Sequence, residues 1–207
     1  RENVFKSLSG DERLSVLYSA PIDLVRFLKH HYNEENAEEI LKSAASQGKT
    51  VSAIVPVHIA GNICNMERIV DLAKKYSTAT NTIRVIEDAA HSFPSPTKLG
   101  YAGTIGDAGV FSFYVTKTIT TAEGGMVCTR NPDLARRMTV MRMHGMDRTT
   151  WDRYTSPRAS WEYDIIAPGY KFNLPDVLAA IGSCQVDRAW KFYEERKAIV
   201  DLYNKAF

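Results

Sequence analysis

No stretch of this sequence is apolar over anything near the roughly 20 residues a helix needs to cross a bilayer, and no signal-peptide pattern stands at its start. Cysteine is scarce. Cys64, Cys128 and Cys184 are the only three, widely spaced and without a CxxC pair. That argues against a disulfide framework or a structural zinc site and fits a reducing, cytoplasmic setting. Internal repeats and low-complexity tracts are missing too. So is a charge of one sign: 26 basic residues face 24 acidic ones, interspersed, for a net charge of +2. No basic arm or stripe is available to grip nucleic acid.

The 207 residues, 44% of them hydrophobic, suffice for a buried core of ordinary domain size. The first residue is Arg1, and Phe207 lies inside a helical pattern, so the expectation is a piece of a longer chain.

The first 50 residues read as mostly helical. Asn36 and Glu39 have capping-box spacing, and Ile40, Leu41 and Ala44 supply an apolar face before Gly48. Val51 to Val57 is a short apolar, β-branched run expected to form a buried strand. Asn65 can cap a helix carrying Ile69, Leu72, Ala73 and Tyr76. Further strands are expected at 82–88, 107–114 and 124–130, with a Pro- and Gly-rich loop at 94–106. Asn131-Pro132 is a cap and first-turn pair for a helix to about Met143, and residues 144–168 read as a long loop. Helices from Pro175 to about Arg188 and from Trp190 to Phe207 close the chain. Strands alternating with helices predict an α/β layer with a mostly parallel sheet, in which ligands sit beyond the carboxyl ends of the strands.

That rule directs attention to Asp88, Ser112 and Lys117. Asp88 ends an apolar strand, where a partly desolvated acid needs a cation, a cap or a salt bridge. A protonated pyridine nitrogen is one such cation. His91 follows in DAAH, as a cofactor contact or a structural histidine. Ser112 lies between two phenylalanines, so its hydroxyl needs a partner, which a phosphate oxygen would supply. Lys117 follows the strand and precedes a Thr- and Gly-rich turn. Burial disfavours an ammonium, and a neutral amine can form a Schiff base with an aldehyde, although an exposed loop lysine is the plainer reading of this residue alone. Thr118, Thr120 and Thr121 read equally well as turn residues. HGMDR (144–148) and WDRY (151–154) could clamp an anion or pack as a surface loop. Lys171 and Asn173 precede a helix start, where a phosphate could be met.

The succession IVPVHIAGN, VIEDAAH, GDAGVFSFYVTK, TTAEGGMV, MRMHGM and PGYKFNLPDVLAAIG resembles the DegT/DnrJ/StrS family of sugar aminotransferases from about residue 50 to 205. EDAAH, SFxxxK and EGG at these spacings are together far more specific than any one of them. The KFN variant looks most like members that aminate UDP-linked 4-keto sugars. The resemblance implies fold type I, a large α-β-α domain with a mixed, mostly parallel sheet, and pyridoxal 5′-phosphate (PLP) as cofactor. Asp88 would hold the pyridine nitrogen, His91 the ring or its 3-hydroxyl, and Ser112 the phosphate. Lys117 would form the Schiff base and shuttle protons. Lys171 or Asn173 would reach the phosphate bound by a second subunit of a homodimer with shared sites.

The implied reaction moves an amino group, from glutamate by analogy, to a nucleotide-linked keto sugar. Residues 1–188 would be the PLP-binding large domain, incomplete on its N-terminal side, and 189–207 the start of a helix leading to a C-terminal small domain. Residues 1 to about 48 do not clearly match the upstream region that the family would lead one to expect. Two rivals remain at this point: a degenerate member acting as a structural or regulatory protein, and an aminotransferase for a non-sugar ketone. Lys117 argues against the family's sugar dehydratases, which carry histidine there.

Overall fold

A computed structural model describes residues 34–147, Thr155 and 162–207. Two compact units divide the chain, one comprising its start to Ile54, Glu67–Arg84 and Glu195–Phe207, the other Val55–Met66 and Val85–Glu194.

In the first unit, helix α1 spans Glu34–Ser46 and strand β1 is Ala53–Ile54. Because α1 is already helical at Glu34, Asn36 lies within it rather than at its cap. Leu41 is buried as its spacing predicts, whereas Ile40 faces solvent. β1 is much shorter than the apolar run suggested, because Pro56 has no N–H to continue a ladder. Helix α2, Met66–Tyr76, buries Leu72 and Ala73, and the Ser77 hydroxyl holds its C-terminal end by donating to the Ala73 carbonyl at 2.7 Å.

The second unit carries the longer strands, which lie side by side in the order β2, β5, β6. β2 is Arg84–Asp88, β5 Ala108–Ser112 and β6 Gly125–Thr129. β2 and β5 are parallel, with Asp88 opposite Val110, and β5 and β6 are antiparallel, with Ser112 opposite Gly125. Val57 adds a parallel bridge to Asp88. The sheet is thus mixed, as expected. The Pro- and Gly-rich loop holds an unforeseen two-stranded ribbon, β3 (Pro96–Thr97) against β4 (Gly100–Tyr101).

Helix α3, Pro132–Met141, starts as predicted: the Asn131 carboxamide oxygen accepts from the Asp133 and Leu134 amides at 2.9 and 3.1 Å, and Pro132 occupies the first turn, where its missing N–H costs nothing. Helices α4 (Asp176–Val186) and α5 (Ala189–Ala206) follow. A core of Ala89, Phe111, Phe113, Ile119 and Ala189, flanked by Phe93, Cys128 and Phe192, lies under the carboxyl end of β5. Phe93 meets Phe111 edge to face, with ring centroids 5.8 Å apart.

Candidate active site

The parallel pairing of β2 and β5 brings Asp88 and Ser112 to the same, carboxyl edge of the sheet. Beyond β5 the chain turns sharply, with the Lys117 amide donating to the Tyr114 carbonyl at 2.9 Å. That turn folds Lys117 back over the strand end. A cavity of about 250 Å³ results, lined by Ala60, Ala90, His91, Phe93, Ser112 and Thr116 to Ile119. Three of the six residues singled out in the sequence, His91, Ser112 and Lys117, therefore share one cavity. Lys117 and Ser112 are half-buried there.

Asp88 stands at the end of β2, half-buried, and is not among the lining residues. Its backbone is clamped on both sides, donating to the Pro56 carbonyl at 2.9 Å and accepting from the His58 amide at 3.0 Å. One carboxylate oxygen accepts from the Ala90 amide at 3.1 Å. Lys171 and Asn173 lie elsewhere, ahead of α4, where the Lys171 ammonium donates to the Asn173 carboxamide oxygen. Lys171 is exposed, and neither residue reaches the cavity of its own chain.

The threonines divide. Thr118 lines the cavity. Thr120 donates to the Phe113 carbonyl and Thr121, buried, to the Glu123 carbonyl, so both hold the turn. Gly124 is required beside them: at φ 153°, a Cβ would come within 2.5 Å of the Thr121 hydroxyl and 2.8 Å of Leu174. His144 and Gly145 form a left-handed turn pinned to residues 164–172, with the His144 amide donating to the Tyr170 carbonyl at 2.8 Å. The backbone of this part of HGMDR is thus fixed while the His144 side chain is exposed, and Arg148 and residues 151–154 lie outside the described residues.

One pair escaped the sequence reading. His58 and Glu87 are both fully buried, with His58 Nε2 3.0 Å from a Glu87 oxygen. The same carboxylate accepts from the backbone amides of Gly103 (2.8 Å), Ile105 (2.7 Å) and Gly106 (2.7 Å). Burial alone would raise the Glu87 pKa, but the His58 hydrogen bond and these three N–H groups outweigh it and hold the carboxyl below its ordinary range. For His58, burial works downward, and the side chains of Cys64 and Glu87 overcome it, pushing the imidazole up to about 9. The Cys64 amide points at Nδ1 from 3.4 Å, which suits a neutral ring, while the carboxylate favours the imidazolium; in both states Nε2 carries the proton given to Glu87. The strand's alternation was the available signal. Glu87 falls on the face of Val85, and an acid on that buried face needs a partner.

Comparison with known proteins agrees with this architecture. The chain is 44% identical over 179 residues to the uncharacterized protein MJ1066 of Methanocaldococcus jannaschii, covering 86% of this chain and 44% of that one. It is 39% identical over 175 residues to the spore coat polysaccharide biosynthesis protein SpsC of Bacillus subtilis, covering 84% and 43%. Among solved structures, Spr1654 from Streptococcus pneumoniae in its PMP form superposes with a TM-score of 0.70 at 31% identity, over 84% of this chain and 46% of that one. Its PLP form superposes with a TM-score of 0.68. The fold is thus that of the fold type I aminotransferases, and the chain spans less than half the length of these relatives. A profile of the DegT/DnrJ/EryC1/StrS aminotransferase family matches residues 29–207, reaching upstream of the motifs that begin near residue 50. With that match over most of its length, the chain belongs to the DegT/DnrJ/EryC1/StrS aminotransferase family.

Proposed function

We propose that this chain forms the catalytic core of a PLP-dependent aminotransferase that moves an amino group from glutamate to a nucleotide-linked keto sugar. The observation that carries the reading is the single cavity shared by the Lys117 amine, the Ser112 hydroxyl and the His91 imidazole at the carboxyl edge of β5. These donors fit PLP group by group: an amine for the aldehyde, a hydroxyl for the phosphate, and an imidazole for the ring oxygen. When bound, PLP supplies a reactive aldehyde and an electron-accepting ring. Lys117 would bind that aldehyde and carry the proton between the reacting carbons. Ser112 would anchor the phosphate, and His91 would orient the ring. Asp88 would hold a proton on the ring nitrogen, the clamped end of β2 keeping its carboxylate in place.

The sugar substrate is supported by the kinship to SpsC, a polysaccharide biosynthesis protein. At about 250 Å³ the cavity is small against the ~300–1,000 Å³ of typical ligand pockets, so a nucleotide sugar would extend beyond it. Further wall would come from a second copy of the chain. Exposed apolar groups around Lys171, namely Tyr170 stacked on Phe172 and nearby Val177, support such a contact. Lys171 or Asn173 would then reach the phosphate in the partner's cavity. The free thiols of Cys64, Cys128 and Cys184 accord with a cytoplasmic location, and no helix among the described residues is long and apolar enough to cross a membrane.

The test is to add PLP, reduce with borohydride and map the modified peptide. A pyridoxyl group on Lys117 is expected, and glutamate-dependent amination of a nucleotide keto sugar should follow. Modification elsewhere, or none, would overturn the assignment.

A further inference from the structure

His58 and Glu87 stand outside the cavity, yet the segment they hold forms part of its wall. His58 begins the 3₁₀ turn Ile59–Gly61, and its side chain is tied to Glu87, which is tied in turn to the 103–106 loop. Its backbone is tied to β2, the amide donating to the Asp88 carbonyl. Within the turn, Ala60 sits at φ 53°, ψ 25°, a left-handed conformation that is unfavourable for a residue with a Cβ and persists only where its surroundings impose it. Besides closing on its own backbone, this turn reaches one side chain: the Ala60 amide donates to His91 Nδ1 at 3.1 Å. Next to it, Gly61 packs so closely that a Cβ would lie 3.3 Å from the His91 carbonyl. An Nδ1 that accepts a hydrogen bond leaves a neutral imidazole with its proton on Nε2.

We infer that His58 and Glu87 are positioning residues, locking the 58–62 turn so that the Ala60 amide holds His91 as the Nε2–H tautomer, a hydrogen-bond donor on the cavity wall. The relevance to catalysis rests on the proposal that this cavity holds PLP, where an Nε2–H donor suits an anionic ring oxygen. The tautomer itself is a property of the chain alone. A buried pair that merely filled the interior would leave the His91 proton indifferent to it.

Two-bond ¹H–¹⁵N correlation spectra of the labelled protein without PLP, at about pH 8, above the ordinary histidine range, read the tautomer directly. His91→Gln identifies the His91 signals among the five histidines. The wild type is expected to show His91 as Nε2–H. His58→Gln, which can still offer Glu87 an N–H, should preserve that pattern. His58→Asn, too short to reach Glu87, should collapse the two resolved nitrogens toward an exchange average. If His58→Asn does not fold, Glu87→Asp, which draws the carboxylate back from His58, takes its place with the same expected loss. A wild-type His91 in the Nδ1–H form, or an unchanged spectrum in the folded short-reach variant, overturns the inference. Borohydride mapping on the same wild-type sample separates the two ideas. A missing Lys117 adduct with the tautomer pattern intact overturns the PLP reading alone, and an adduct with the wrong tautomer overturns this one alone.

Discussion

At the residue scale, two acids adjacent in sequence have different tasks. Glu87 faces inward and spends its carboxylate on His58 and three backbone amides, while Asp88 faces the other side of β2, at the edge where the cavity forms. Removing Glu87 should be far more damaging to stability than removing Asp88. Glu87→Ala strands three amides and an imidazole in the interior and is expected to cost roughly 3–5 kcal/mol, measured by urea unfolding. Asp88→Asn should leave the urea midpoint near wild type and lower transamination, and wild-type turnover in that variant would refute its assigned role. Lys117→Ala should lose the borohydride adduct and at least about 10²-fold in turnover; full activity would remove the catalytic assignment.

The pH dependence follows from the same pair. His58 is raised, so its contribution is complete below the ordinary value of 6.5 and is lost as pH climbs through about 9. Glu87 is lowered, so its contribution is complete above the ordinary 4.5 and is lost as pH falls below it. Unfolding free energy measured against pH should decline on both sides of the interval between those values, and Glu87→Ala should flatten both limbs.

At the scale of elements, the site depends on how closely the loop before β5 can approach that strand. Gly109 has no Cβ, and one added there would fall on the backbone of Gly103, whose amide binds Glu87. Neither partner is a flexible side-chain end, so Gly109→Ala should cost about 3 kcal/mol or more and loosen the Glu87 site, visible as faster amide exchange at Gly103. The cap of α3 is a milder case. Asn131→Ala removes a side-chain acceptor from two amides at an exposed helix start and should cost about 1 kcal/mol in urea unfolding, with PLP binding unchanged.

Element types were legible because periodicity and caps are local. The β-branched, apolar runs at 82–88 and 107–114 and the Asn131-Pro132 pair carry their own signals. The errors arose where local signals compete. Pro56 cuts β1 short within an otherwise strand-like run, and Ile40 matches a helical face yet stays exposed. The β3–β4 ribbon was missed because two-residue strands are too short to show alternation.

For the whole molecule, the shared-site proposal makes a prediction that single chains cannot satisfy. If Lys171 serves the partner's cavity, Lys117→Ala and Lys171→Ala chains should each be impaired alone. Unfolded together and refolded as random dimers, they should recover up to about a quarter of wild-type activity, since half the dimers are mixed and each mixed dimer has one intact site. No recovery, with mixed dimers demonstrated by mass spectrometry, would place Lys171 outside the site.

Spacing and motif order, which are properties of the chain alone, marked the longer strands and helices and put forward Asp88, His91, Ser112 and Lys117 as candidates. Only the tertiary structure decided which of those side chains share a cavity, since that depends on the parallel register of β2 with β5 and on the turn returning Lys117 over the strand end. It also decided that Glu87, not its neighbour, is the buried partner of a histidine 29 residues away. The alternation of β2 marks Glu87 as an acid in need of a partner, but no local pattern says which residue that partner is. The pair exists because burial removes water from both groups and obliges each to find the other.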